Sequence, residues 1–138
     1  MSNNIRLIQG NPLRVPVPVA NATAVEIGDM IALSSNLGVV CTTATDNLTL
    51  HAVALQAHAA DSGAKSILCA RAIKGTLFEF PLNAETSVAY GDELQISGAQ
   101  ELTKSDTDSV ALARETNTTA TKILCEFKDS VVDAGDLT

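Results

Sequence analysis

The sequence predicts an all-β fold, a small barrel or sandwich of short strands with an extended N-terminal arm. Short apolar runs alternate with turn signals at close spacing, the pattern of sandwiches and barrels. Gly-Asp and Pro punctuate those runs, and Ala, Val, Thr, Leu and Ser dominate the composition. The 138 residues suit one domain. A domain of that length hides roughly two-thirds of the surface its unfolded chain would expose. Three Phe, one Tyr and no Trp leave the core to small and branched side chains. Such a core fills thin layers and offers few large walls for a ligand pocket.

Residues 1–24 read as the extended arm. Pro12, Pro16 and Pro18 each remove a backbone donor and bias the preceding residue to extended geometry. Val15-Pro16-Val17-Pro18-Val19 therefore suits an edge strand or a polyproline-like segment, not a central strand. Residues 25–127 form the β-rich body. Ile27-Gly28-Asp29 is a turn, Met30 to Leu33 a strand, and Ser34 to Leu37 a turn into Gly38 to Thr42. Residues 43–50 are polar and turn-like. His51 to Ala57 alternates, although residues 47–60 are Ala- and Leu-rich and leave a helix open as the second choice. After a loop, Ser66 to Ile73 is a strand. Lys74-Gly75 breaks it, and Thr76 to Phe80 follows, with Pro81 as terminator. Tyr90-Gly91-Asp92 starts another turn before Glu93 to Ser97 and Glu101 to Thr103. Ser109 to Ala113 and Thr121 to Phe127 close the body. Residues 128–138 form an acidic, Gly-containing tail expected to be mobile.

The chain contains an internal echo. Ile27-Gly28-Asp29-Met30-Ile31, Val53-Ala54-Leu55 and Ile67-Leu68-Cys69 recur in order as Tyr90-Gly91-Asp92-Glu93-Leu94, Val110-Ala111-Leu112 and Ile123-Leu124-Cys125. Either a β motif is duplicated into two similar halves, or short strands and Gly-Asp turns simply look alike.

Charge excludes some partners. The net charge of −7 argues against nucleic acid, which needs clustered Lys and Arg, and against anionic membrane surfaces. The sign is uneven: residues 1–24 hold Arg6 and Arg14 and no acid, which leaves all 16 acids on the remainder. The N-terminus lacks the apolar stretch of a signal peptide. Cys41, Cys69 and Cys125 are odd in number and lack metal or disulfide spacing. Each follows a branched apolar residue or sits in an apolar run, as a buried free thiol in a reducing cytoplasm would.

No catalytic pattern stands out. His51 and His58 are the only histidines, without a Cys or acidic cluster to complete a metal set, and they read as surface or loop residues. No nucleophile elbow or phosphate-cradling loop is present. Asp106 and Asp108 lie in a stretch lacking the glycine and terminal glutamate of a calcium loop, so a solvated turn is the better reading. The expectation is a non-enzyme without metal or cofactor.

The order of features is informative. A Pro-Val-rich lead-in precedes Ile27-Gly28-Asp29-Met30-Ile31-Ala32-Leu33. Then come His51-Ala52-Val53-Ala54-Leu55, Ala70-Arg71-Ala72-Ile73-Lys74-Gly75-Thr76-Leu77-Phe78, Tyr90-Gly91-Asp92-Glu93-Leu94 and Ser109-Val110-Ala111-Leu112-Ala113. Over about residues 15–127 this resembles the small capsid decoration (cement) proteins of tailed bacteriophages. The resemblance implies a structural virion protein on the capsid exterior, assembled in the host cytoplasm as a homotrimer. Its partner would be the major capsid protein, whose subunit contacts it stabilises. The arm would be the capsid- or subunit-binding segment. Ile5, Leu7 and Ile8 would be apolar anchors, Arg6 and Arg14 would pair with acidic neighbours, and Val15, Pro16, Val17 and Pro18 would be extended backbone able to add to a neighbouring sheet. The competing reading packs this segment on its own domain. A different class, a non-enzymatic tail, fibre or carbohydrate-binding module, is the alternative function.

Overall fold

The computed structural model describes residues 6–9, 13–42, 50–107 and 109–128. These residues contain no helix and eleven strands. The strands are β1 (Arg6–Gln9), β2 (Arg14–Pro18), β3 (Met30–Ser34), β4 (Leu37–Val40), β5 (Leu50–Ala54), β6 (Ser66–Arg71), β7 (Leu77–Val88), β8 (Glu93–Gly98), β9 (Glu101–Lys104), β10 (Ala111–Ala113) and β11 (Asn117–Phe127). The all-β class is as the sequence predicts. Residues 50–60 contain β5, not a helix, and residues 129–138 lie outside the described residues, as do Ile5 and Asp108.

The strands form two sheets, one in each half of the chain. The second half has the order β7-β11-β10-β8-β9, and β9 returns to β7 through a parallel pair, Leu82 with Leu102. That contact closes a five-stranded barrel, to which β1 is added along the outer side of β7. The first half has the order β2-β6-β5-β3-β4. There the chain just after β2 meets β4 in an isolated parallel bridge, Val19 with Gly38. Closure in the first half is thus a single residue pair.

The two sheets follow one plan, with β2 to β6 answering β7 to β11. Val17 faces Ile67 where Phe80 faces Ile123, and Val15 faces Cys69 where Phe78 faces Cys125. Met30 faces Val53 where Glu93 faces Leu112. The closing pairs correspond as well, Val19–Gly38 to Leu82–Leu102. Eight buried residues fill the first barrel: Val17, Val19, Val25, Ile31, Ala52, Ala54, Ile67 and Cys69. Their counterparts in the second, Phe80, Leu82, Val88, Leu94, Ala111, Ala113, Ile123 and Cys125, are all buried too. The echo in the sequence is therefore a repeated structure.

The Gly-Asp signal has a physical cause. Asp29 N–H donates to Glu26 O at 3.1 Å, and Asp92 N–H to Ala89 O at 3.0 Å. Gly28 and Gly91 occupy the third positions of these turns with φ of 96° and 92°, a conformation that glycine adopts without a Cβ penalty. Each aspartate then locks its own turn: Glu26 N–H donates to Asp29 Oδ2 at 2.9 Å and Ala89 N–H to Asp92 Oδ2 at 2.8 Å. The same locked turn thus leads into β3 in one half and β8 in the other.

Three local expectations are corrected. The central echo is offset by two residues: Gly28 N–H bonds Ala54 O and Gly91 N–H bonds Ala113 O, so Ala52-Val53-Ala54 answers Ala111-Leu112-Ala113. A two-residue slip keeps every side chain on its face, so alternation alone cannot detect it. Pro81 does not end its strand; it sits inside β7 opposite Lys122, next to a register shift in β11, where a missing donor is tolerated. Finally, His51 and His58 are buried rather than superficial.

The halves differ in their outer faces. Met30, Ala32, Val53, Ala70 and Ala72 are buried, yet they do not belong to the first barrel's interior set; they join the core cluster of the second half. All five residues of β5 are buried. The second barrel instead presents Glu79, Glu93, Gln95 and Glu126 on its partly exposed outer faces. Its interior centres on Phe78, Phe80 and Phe127, whose ring centroids lie 5.6–5.9 Å apart.

Candidate functional site

The N-terminal candidates fall on two strands of different halves. Arg6, Leu7 and Ile8 lie in β1, antiparallel to β7, with Arg6 opposite Glu79 and Leu7 opposite Phe78. Arg14, Val15, Pro16, Val17 and Pro18 make β2, paired along its length with β6. Alternation divides β2: Val17 is a barrel core residue, Val15 is partly buried against it, and Arg14, Pro16 and Pro18 are exposed. The segment thus straps the two halves, and β1 is the end strand of its sheet. Its outward edge is the position from which strand addition would proceed.

Other candidate chemistry is structural. The His58 ring lies between Thr23 O and Ala64 O, 2.8 Å from the latter, and so ties two loops together. Asp106 is exposed, and no metal-binding group of His, Cys, Asp or Glu occurs among the described residues. All three cysteines are buried, and none forms a disulfide. Burial pushes the Cys69 thiol up to about 12, against a smaller opposing effect of the Leu55 backbone, and raises Cys125 further. Thiols so placed stay protonated and make poor nucleophiles.

The most distinctive polar constellation joins the halves. The β8–β9 hairpin tip, Ala99-Gln100, lies on the first Gly-Asp turn. Ala99 O accepts from Met30 N–H at 2.7 Å. Gln100, only 5% exposed, donates through Nε2 to Asp29 Oδ1 at 2.8 Å and Ile27 O at 3.1 Å. Asp29 is itself 3% exposed and divides its oxygens between Gln100 and the Glu26 amide. Sequence reasoning missed Gln100, because a polar residue at a hairpin tip normally faces water.

No family model and no curated protein sequence matches this chain.

The second Gly-Asp turn borders an open groove of about 460 Å³, lined by Gly91, Asp92, Glu93, Lys104, Ser105 and Asp106. Asp92 and Glu93 in the groove, and Glu126 outside it, are held ionised. The Ala89 amide and then Lys104 Nζ, 3.1 Å from Oδ2, lower Asp92. A 2.6 Å contact with Lys128 and a bond from Ser109 lower Glu93. Glu126 is lowered first by the Gly75 amide and then by Arg114. Groups held as anions at neutral pH are poor general acids. They suit polar contact. Beside them Tyr90 is 66% exposed, with the Arg114 guanidinium 5.2 Å from its ring centroid.

Proposed function

We propose that this chain is a non-enzymatic structural module that decorates the outside of a tailed-phage capsid and stabilises contacts between major capsid protein subunits. The observation that carries this reading is the pair of filled β-barrels of one plan, strapped by β1 and β2. With the interiors occupied by side chains, the surfaces left for interaction are strand edges and hairpin tips. Such surfaces suit protein contact better than the enclosure of a small molecule. The ordered resemblance to cement proteins gives the contact its partner.

The action would be thermodynamic linkage. A protein that binds only the mature shell stabilises it by mass action. Many copies, or a symmetric oligomer of this chain, add avidity. The edge of β1 is the proposed attachment strand, since its inner side is engaged by β7. A sugar-binding tail or fibre module is less favoured: Phe78, Phe80 and Phe127 are buried against one another, leaving Tyr90 as the single aromatic available to stack on a glycan.

Electron microscopy of particles purified from the producing host tests the proposal. Density for the two-barrel body on the outer shell is expected, together with loss of shell stability when the gene is deleted. Intact particles that lack the protein would refute the capsid role.

A further inference from the structure

We infer that this protein self-associates head to tail, the β3–β4 hairpin tip of one copy docking into the Gly91–Asp92 groove of another. The inference rests on the internal repeat and stands whether or not the partner is a capsid.

Within the chain, the hairpin tip of the second half occupies the Gly-Asp turn of the first. The contact is not reciprocal. The corresponding tip of the first half, Ser35-Asn36, is exposed, as is Leu37 beside it. The corresponding turn of the second half, Tyr90-Gly91-Asp92, borders the open groove. One half thus offers a used socket and an unused tip, and the other a used tip and an unused socket. That is a heterologous contact with both of its ends still available, and such contacts continue between copies into rings or filaments.

The chemistry at the unused ends matches the joint already made. Asn36 occupies the tip position of Gln100 and carries the same carboxamide. Asp92 is locked by the Ala89 amide through the same Oδ2 atom that Asp29 presents to Glu26. Lys104 also approaches Oδ2, which leaves Oδ1, the counterpart of the oxygen on Asp29 that accepts from Gln100. Among the described residues, two of the four large exposed apolar side chains, Leu37 at 37% and Tyr90 at 66%, stand at this tip and this turn. The β3–β4 turn has positive φ at Ser35 (52°) and Asn36 (67°), a tight two-residue connection that presents the amide on a stiff hairpin.

Sedimentation velocity over a concentration series, with a paired-cysteine experiment, decides the matter. The full chain is expected to sediment above monomer as concentration rises. Asn36→Asp, which sets a carboxylate against Asp92, should weaken association about tenfold or more with an unchanged melting temperature. Adding Asp92→Asn to Asn36→Asp should restore most of it. Asn36→Cys and Tyr90→Cys in one chain should give intermolecular disulfides, each single variant few. A strict monomer at the highest soluble concentration would overturn the inference. So would association indifferent to Asn36→Asp, or efficient cross-linking of Asn36→Cys to itself, which would mean a symmetric contact.

Discussion

Replacing Gln100 by Ala should loosen the joint between the halves, and its cost can be worked from the contact. The Nε2 bond to Asp29 Oδ1 joins an amide to a buried carboxylate, and bonds of that type contribute about 1.5–3 kcal/mol. The second bond, to Ile27 O, adds about 1 kcal/mol when counted alone. The two share one donor group and do not sum fully, so the expected loss is about 2–4 kcal/mol. For a chain of this length that lowers the melting temperature by roughly 6–20 °C. Asn36→Ala, at the matching tip of the other hairpin, is the internal control. It is exposed and makes no contact of that kind, so it should cost only the about 1 kcal/mol that alanine loses at a φ of 67°. A double-mutant cycle of Gln100→Ala with Asp29→Ala, read by urea unfolding, isolates the pair. Coupling of at least about 1.5 kcal/mol is expected. Coupling under about 0.5 kcal/mol, or equal costs for Gln100→Ala and Asn36→Ala, would refute the view that this contact joins the halves.

Gly38→Ala should destabilise by about 1–3 kcal/mol through overpacking, because its Cβ would stand 2.8 Å from Val17 Cγ1 and 3.0 Å from Ile31 Cγ2; a neutral effect on the urea midpoint would mean that the first barrel is not closed at that bridge. At the matching position of the second barrel the demand is opposite, and Leu102→Ala should cost about 2–5 kcal/mol by leaving a cavity. Asp92, Glu93 and Glu126 have folded-state values below the ordinary carboxylate range, so their stabilisation is complete above pH ~4–5 and is lost as pH falls through the lowered values. The urea midpoint should therefore drop between about pH 5 and pH 2, and less so in high salt, because these groups are exposed; a midpoint that rises on acidification would contradict the assignment. The native protein should react slowly with a thiol reagent and release three thiols on unfolding without reductant, because all three cysteines are buried and none forms a disulfide; rapid native labelling would show that they are accessible.

Much of the fold was legible in the sequence, for reasons the structure makes plain. Gly-Asp marks a turn in which glycine supplies the positive φ and aspartate the lock, so both instances could be read without knowing the fold. The Val-Pro alternation of β2 matches its one buried and one exposed face. What could not be read depends on contacts between distant segments. Asn36 and Gln100 look alike as amides at hairpin tips; only the docking of the halves buries one and leaves the other in water. His51 and His58 read as surface residues because histidine usually is, although the apolar neighbours Leu50, Ala52, Val53 and Ala54 hinted that His51 is inside. Pro81 reads as a stop, and only the irregular register of β11 explains how β7 runs through it.

The different outer faces of the two barrels bear on synthesis. Met30, Ala32, Val53 and Ala70 belong to strands that are synthesised before residue 72, but the buried cluster they join is completed by residues of the second half, which come later. A nascent first half can close on its own interior set, yet it keeps a second apolar face uncovered until translation supplies the rest. Its successor carries charged and polar groups outward and has no such debt to what precedes it. The order of genes-to-protein thus delivers the dependent half first. During the seconds that translation of the remaining residues takes at ordinary elongation rates, the N-terminal half is the part of this molecule most in need of a chaperone.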